Sequence, residues 1–131
     1  YEEHLINLWH NHQERLRSNL CPDALLLDCH SFPSEMSDVD ICIGYNEDWS
    51  KPNKDTIELA VNLFEDYGYK VGINEPYSNS ETPDCPFTYQ SMMLEVNKKV
   101  YMEDGSLQLK KPTNKRSIRD LTQLLLSELI A

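Results

Sequence analysis

A chain of 131 residues, 40% hydrophobic and 26% charged, has the size and balance of one globular domain with a real core. Asp and Glu outnumber Lys and Arg by 22 to 12, and the formal charge of -10 repels phosphate backbones and anionic lipid, which argues against nucleic acid and membrane as partners. No apolar run is long enough to cross a bilayer, and the start carries no signal-peptide pattern.

Residues 1 to about 19 read as an amphipathic helix, with Tyr1, Leu5, Leu8, Trp9, His12, Leu16 and Leu20 recurring at helical spacing. The sequence opens at Tyr1, without Met and already inside this helix, which reads as a piece of a longer protein. Cys21-Pro22-Asp23 breaks the helix. Residues 24 to 29 form a continuous apolar run ended by Asp28, the pattern of a strand buried on both faces. Residues 39 to 43 make a second short strand, stopped by Gly44, and the polar segment 45 to 54, with Pro52, is a loop.

A second helix is expected over 56 to 67, with Ile57, Ala60, Val61 and Phe64 on one face and Gly68 as its stop. Residues 69 to 73 are a third strand, and 74 to 88, with three prolines, a long loop. Residues 92 to 96 are a fourth strand, running into a turn at 97 to 102. A basic connector at 110 to 115 leads to a closing helix over 118 to 130, with Ile118, Leu121, Leu125 and Leu129 on its buried stripe. Strands alternating with helices predict an α/β fold, a mainly parallel sheet with helices on both faces, forming a single unit over 1 to 131.

Ligands of such sheets bind beyond the carboxyl ends of the strands, where loops converge on one crevice. Asp28 and His30 stand at that end of the first strand, two apart and so on one side of it. An imidazole there suits zinc, and a nearby carboxylate can orient it from behind. The competing reading is a histidine that caps a loop carbonyl. Glu95 lies among Met92, Met93, Leu94 and Val96, where a carboxylate is costly unless paired or useful. Burial raises its pKa towards that of a general base, whereas pairing with Lys98 or Lys99 makes it structural.

His10 and His12 are two apart on a helix and point in different directions, which argues against a paired nuclease site. His12 falls on the apolar stripe as a core or boundary residue, His10 is placed to pair with Glu14, and His4 sits at the stripe's edge. Asp40, at the entrance of DICIG, either caps loop amides or hydrogen-bonds groups of the crevice. Asn74 and Tyr77, in the NEPYS turn, are candidates for binding substrate, and Met92 and Met93 are core filling. Cys21, Cys29, Cys42 and Cys85 form no CxxC, which argues against a zinc knuckle and for thiols in a reducing cytoplasm.

LLLDCHSFPS, DVDICIG, NEPYS and MMLEVNKKVYMEDG occur in that order. Together they resemble the C-terminal portion of an N-formylglutamate amidohydrolase, from the first helix to about residue 105. The resemblance implies a zinc-exopeptidase-like (phosphorylase/hydrolase-like) α/β fold, here part of a larger domain. It implies that His30 in DCHS binds zinc, with the remaining ligands expected upstream of Tyr1. Glu95 in LEVN is then the general acid/base of metal-assisted hydrolysis of an N-formyl or short N-acyl amino acid. The chain departs from the family pattern at Ser78-Asn79-Ser80-Glu81, in place of a glycine-rich turn, and at Lys98, in place of Arg. A protein that kept the fold and lost the metal, acting as a binding or scaffold domain, is the alternative.

Overall fold

The computed structural model describes residues 1–103, 105–111 and 117–130. Its elements run α1 (Glu2–Asn19), β1 (Leu25–Phe32), β2 (Ile41–Gly44), α2 (Lys54–Asp66), β3 (Val71–Ile73), β4 (Gln90–Asn97) and α3 (Ile118–Ile130), with single 3-10 turns at Ser34–Met36 and Lys98–Val100. The four strands form one sheet in the order β1-β4-β2-β3. β1 runs parallel to β4 and β2 parallel to β3, while β2 and β4 meet antiparallel. The sheet is mostly parallel, and β1 and β4 share a carboxyl end.

Period-two alternation assigns each strand's side chains to two faces. Leu25, Leu27, Ile41, Ile43, Met92, Leu94 and Val96 turn to one face and join Ala60, Phe64, Leu121 and Leu125 of α2 and α3 in the main core. Fully burying a Leu, Ile, Val, Phe or Met side chain contributes roughly 1.5–3 kcal/mol, so this layer carries most of the hydrophobic stabilisation. Gly68, at φ 85°, ends α2 in the left-handed conformation expected of it. The opposite face has a smaller apolar cluster of Phe32, Cys42 and Met93, with Tyr77 against it. Met92 and Met93 therefore fill core on opposite faces of the sheet.

The helix at 118–130 lies where its periodicity puts it, and most strand boundaries move by one or two residues. β1 differs more: it runs on to Phe32, because β4 offers a parallel partner at every position up to Asn97. His30 and Ser31 are thus inside the strand rather than just past its end. The basic connector at 110 to 115 falls largely outside the described residues.

α1 departs from expectation in its packing. Gln13 is its only buried residue; Leu5, Leu8 and Trp9 of the apolar stripe are about half exposed. His12 is likewise exposed rather than a core or boundary residue. Glu14 pairs with Arg17 instead of His10, whose ring lies edge-on to Trp9 at 5.0 Å. Helical periodicity identifies a face that gains from cover, but not whether a neighbour lies against it.

Candidate active site

Parallel pairing with β4 fixes His30 directly opposite Glu95, and Asp28 opposite Met93. By alternation, Asp28, His30, Met93 and Glu95 all project from the face that α2 and α3 leave open. His30 Nε2 stands 2.7 Å from Asp28 Oδ1, so the two-residue spacing on an extended strand does bring these side chains together. The carboxylate fixes the ring's orientation and leaves Nδ1 as its other nitrogen, the arrangement a carboxylate-buttressed histidine ligand adopts. His30 thus pairs with Asp28 rather than capping a loop carbonyl.

Glu95 is 9% exposed, and its Oε2 is buried with no hydrogen-bond partner among the described residues. Neither Lys98 nor Lys99 neutralises it; Lys99 Nζ goes to the carbonyl of Asp38 and lies 3.6 Å from Asp40 Oδ1. Burial pushes the Glu95 carboxyl above the usual range, the Asp28 charge adds to the rise, and His30 opposes it. A buried carboxylate held protonated more tightly than usual, with a free oxygen beside an oriented imidazole, is equipped to accept and return a proton.

The loop between β3 and β4 covers part of this face. Tyr77 stacks edge-on against Phe32 at 6.0 Å, and its carbonyl accepts from the Cys42 thiol at 3.2 Å. Ser80 Oγ meets the buried Ser91 Oγ at 2.7 Å, and Ser91 Oγ donates to the Glu81 carbonyl. That anchorage lets the Glu81 amide donate to Asp28 Oδ2 at 3.3 Å. The Glu81 carboxylate in turn accepts from Gln13 of α1 and lies 3.5 Å from His12 Nε2.

Gln13 and Ser91 escaped the sequence reading, and Glu81 figured there only in the turn that departs from the family pattern. Gln13 had a visible signal, since it falls four residues after Trp9, on the helix's apolar side. The sequence did not show what Glu81 binds, since Asp28 and Gln13 lie 53 and 68 positions away.

Two sequence candidates are engaged elsewhere. Asp40 Oδ2 accepts from the Lys70 amide at 2.8 Å, which makes it a cap of the neighbouring strand entrance. Asn74, at φ 56°, accepts from the Tyr45 amide through Oδ1 at 2.9 Å and shapes the turn after β3. Tyr77 borders the site face through Phe32, as described.

For a metal, His30 Nδ1 and the Glu95 carboxylate are suitable donor types. Among the described residues there is no group of three or more His, Cys, Asp or Glu able to hold an ion. These residues alone do not make a complete metal centre.

The family model for N-formylglutamate amidohydrolase matches residues 2–102. The chain belongs to the N-formylglutamate amidohydrolase family, a family of hydrolases. The crystal structure of the N-formylglutamate amidohydrolase from Ralstonia eutropha JMP134 superposes with a TM-score of 0.56 at 24% identity, which extends the likeness to the fold. The match covers 81% of this chain and 43% of that one, so the chain spans less than half the length of that relative. A comparison with curated proteins gives no match. The matched stretch of 2–102 holds the whole Asp28, His30 and Glu95 constellation and ends before α3. Among the described residues, no helix is long and apolar enough to cross a membrane.

Proposed function

We propose that the protein hydrolyses the amide of an N-formyl or short N-acyl amino acid. One observation carries this reading: His30 and Glu95 face each other across a parallel strand pair near its carboxyl end, and Glu95 has a buried oxygen without a partner. Glu95 takes a proton from water, whose oxygen bonds to the acyl carbon. The C–N bond then breaks, and the proton passes from Glu95 to the departing amine. For an N-formyl substrate the products are formate and the free amino acid.

His30 is assigned as one ligand of a zinc ion, held in line by Asp28, with the remaining ligands outside the described residues. When bound, the ion polarises the acyl oxygen and its water. Four free thiols favour a reducing compartment, and we place the protein in the cytoplasm. A non-catalytic binding relative is the second reading, favoured by the incomplete ligand set among the described residues.

Glu95→Gln in the full-length protein separates the two. Hydrolysis of N-formyl amino acids is expected to fall by about 10²–10⁴-fold, while zinc content holds and the variant still unfolds cooperatively. Unchanged turnover would retire Glu95 as the base, and absence of both zinc and turnover in the parent protein selects the binding reading.

A further inference from the structure

The alignment of His30 depends on Asp28, and Asp28 is itself held by a backbone group. Its Oδ1 lies 2.7 Å from His30 Nε2, while its Oδ2 accepts from the Glu81 amide at 3.3 Å. The torsion that turns an Asp carboxylate is broad and roughly two-fold. A bond on Oδ2 therefore fixes the plane in which Oδ1 meets the imidazole. The Glu81 N–H belongs to the peptide between Ser80 and Glu81, so whatever fixes that peptide also fixes Asp28.

That peptide is gripped from its other edge. A planar trans peptide presents its C=O and N–H on opposite sides. Asn46, two residues past the end of β2, donates from Nδ2 to the Ser80 carbonyl at 3.0 Å, opposite the N–H given to Asp28. Its Oδ1 accepts from the Ser80 amide at 3.1 Å, so one side chain holds both backbone groups of Ser80. Nδ2 also donates to the buried Ser50 Oγ at 3.0 Å, and Ser50 is fastened in turn to Asp48. Ser91 holds the next peptide. Its hydroxyl carries one hydrogen, spent on the Glu81 carbonyl at 2.5 Å, so it accepts from Ser80 Oγ at 2.7 Å. Ser91 is fully buried, where a hydroxyl is costly unless bonded.

We infer that Asn46 and Ser91 are positioning residues. By gripping Ser80 and Glu81 they aim the Glu81 amide at Asp28, and through Asp28 they set the ring of His30 with Nδ1 as its donor nitrogen. The use made of that nitrogen rests on the amidohydrolase reading; the state of the ring can be read without metal or substrate.

Asn46→Ala and Ser91→Ala each remove these bonds without changing charge. In the metal-free full-length protein, 15N NMR of His30 at about pH 9, above the ordinary histidine range, reads which nitrogen carries the proton. The proton is expected on Nε2 in the parent protein, and the Nε2–H share is expected to fall in both variants. Zinc affinity, measured by chelator competition, should drop about 10–100-fold in Asp28→Ala and several-fold in Asn46→Ala and in Ser91→Ala. Adding Asn46→Ala to Asp28→Ala should weaken zinc no further, because Asn46 acts through Asp28. A side chain that merely anchored the loop would leave the ring's protonation unchanged, and its effect on zinc would add to that of Asp28→Ala; either result overturns the inference. If the parent protein binds no zinc and hydrolyses no N-acyl amino acid, the amidohydrolase reading fails, and the ring's protonation alone then decides the positioning.

Discussion

The two faces of this sheet are built from the same four strands yet differ in what they spend residues on. On the face under α2 and α3, the buried positions are Ile41, Ile43, Met92, Leu94 and Val96, and the helices answer with Phe64, Leu121 and Leu125. On the other, the same strands present Asp28, His30, Ser91, Glu95 and Asn97, among which only Cys42, Met93 and Phe32 form an apolar patch. One face is held by close packing and the other by directed hydrogen bonds. Polar groups buried without full pairing cost stability, so the second face depends on the first to remain assembled.

The sharpest way to break that contrast is to damage the packed face. Phe64 is fully buried between α2 and the sheet, with its ring edge-on to Tyr69 at 6.4 Å. Phe64→Ala should cost about 3–5 kcal/mol in urea unfolding, from lost transfer energy plus the cavity left behind. The His30–Asp28 pair is not in contact with it, so the folded fraction should keep its kcat/KM. Loss of activity per folded molecule would mean that the two faces are mechanically coupled.

A milder cut falls on the polar face. Asn97 is fully buried at the end of β4, donates to the carbonyls of Ser37 and Val39 at 3.0 and 2.9 Å, and accepts from the Lys99 amide at 3.0 Å. Its side chain is the clasp that closes the segment after β1 onto the sheet. Asn97→Ala should destabilise by about 1–3 kcal/mol, since two half-buried carbonyls and an amide lose a partner. If the unfolding midpoint does not move, water replaces the carboxamide there and the clasp is dispensable.

These faces were unequally legible in the sequence. The packed face shows itself through apolar periodicity: Leu121 and Leu125 four apart on α3, and Ile57, Ala60 and Phe64 on α2, need only local spacing to be read. Asp28, His30 and Glu95 stand out because each is a polar residue in an apolar run, and their ordered motifs match the family. What joins them is register, and register depends on which strands become neighbours, a long-range choice that local spacing does not encode. The contact of Glu81 with the site was hidden for that reason, since its amide reaches Asp28 across 53 positions. α1 failed in the opposite sense: its stripe was clear, but within the described residues little lies against it.

The finest test of the contrast uses pH, because a packed apolar face does not titrate and Glu95 does. Its carboxyl is raised above the usual range mainly by burial. The folded protein therefore holds this proton more tightly than the unfolded chain. Stability from this group is greatest below the ordinary carboxyl range, falls as pH rises from there through the raised value, and is level beyond it. Glu95→Gln removes the proton and the fall with it, so its stability relative to the parent protein should grow with pH across that window. The parent's kcat/KM should climb over the same window, as the base becomes ionised. Urea midpoints of both proteins, measured from about pH 4 to about pH 8, check the first part. A gap that instead shrinks as pH rises would mean that the Glu95 anion is stabilised in the fold, chiefly by His30, and that pairing rather than burial governs this carboxylate.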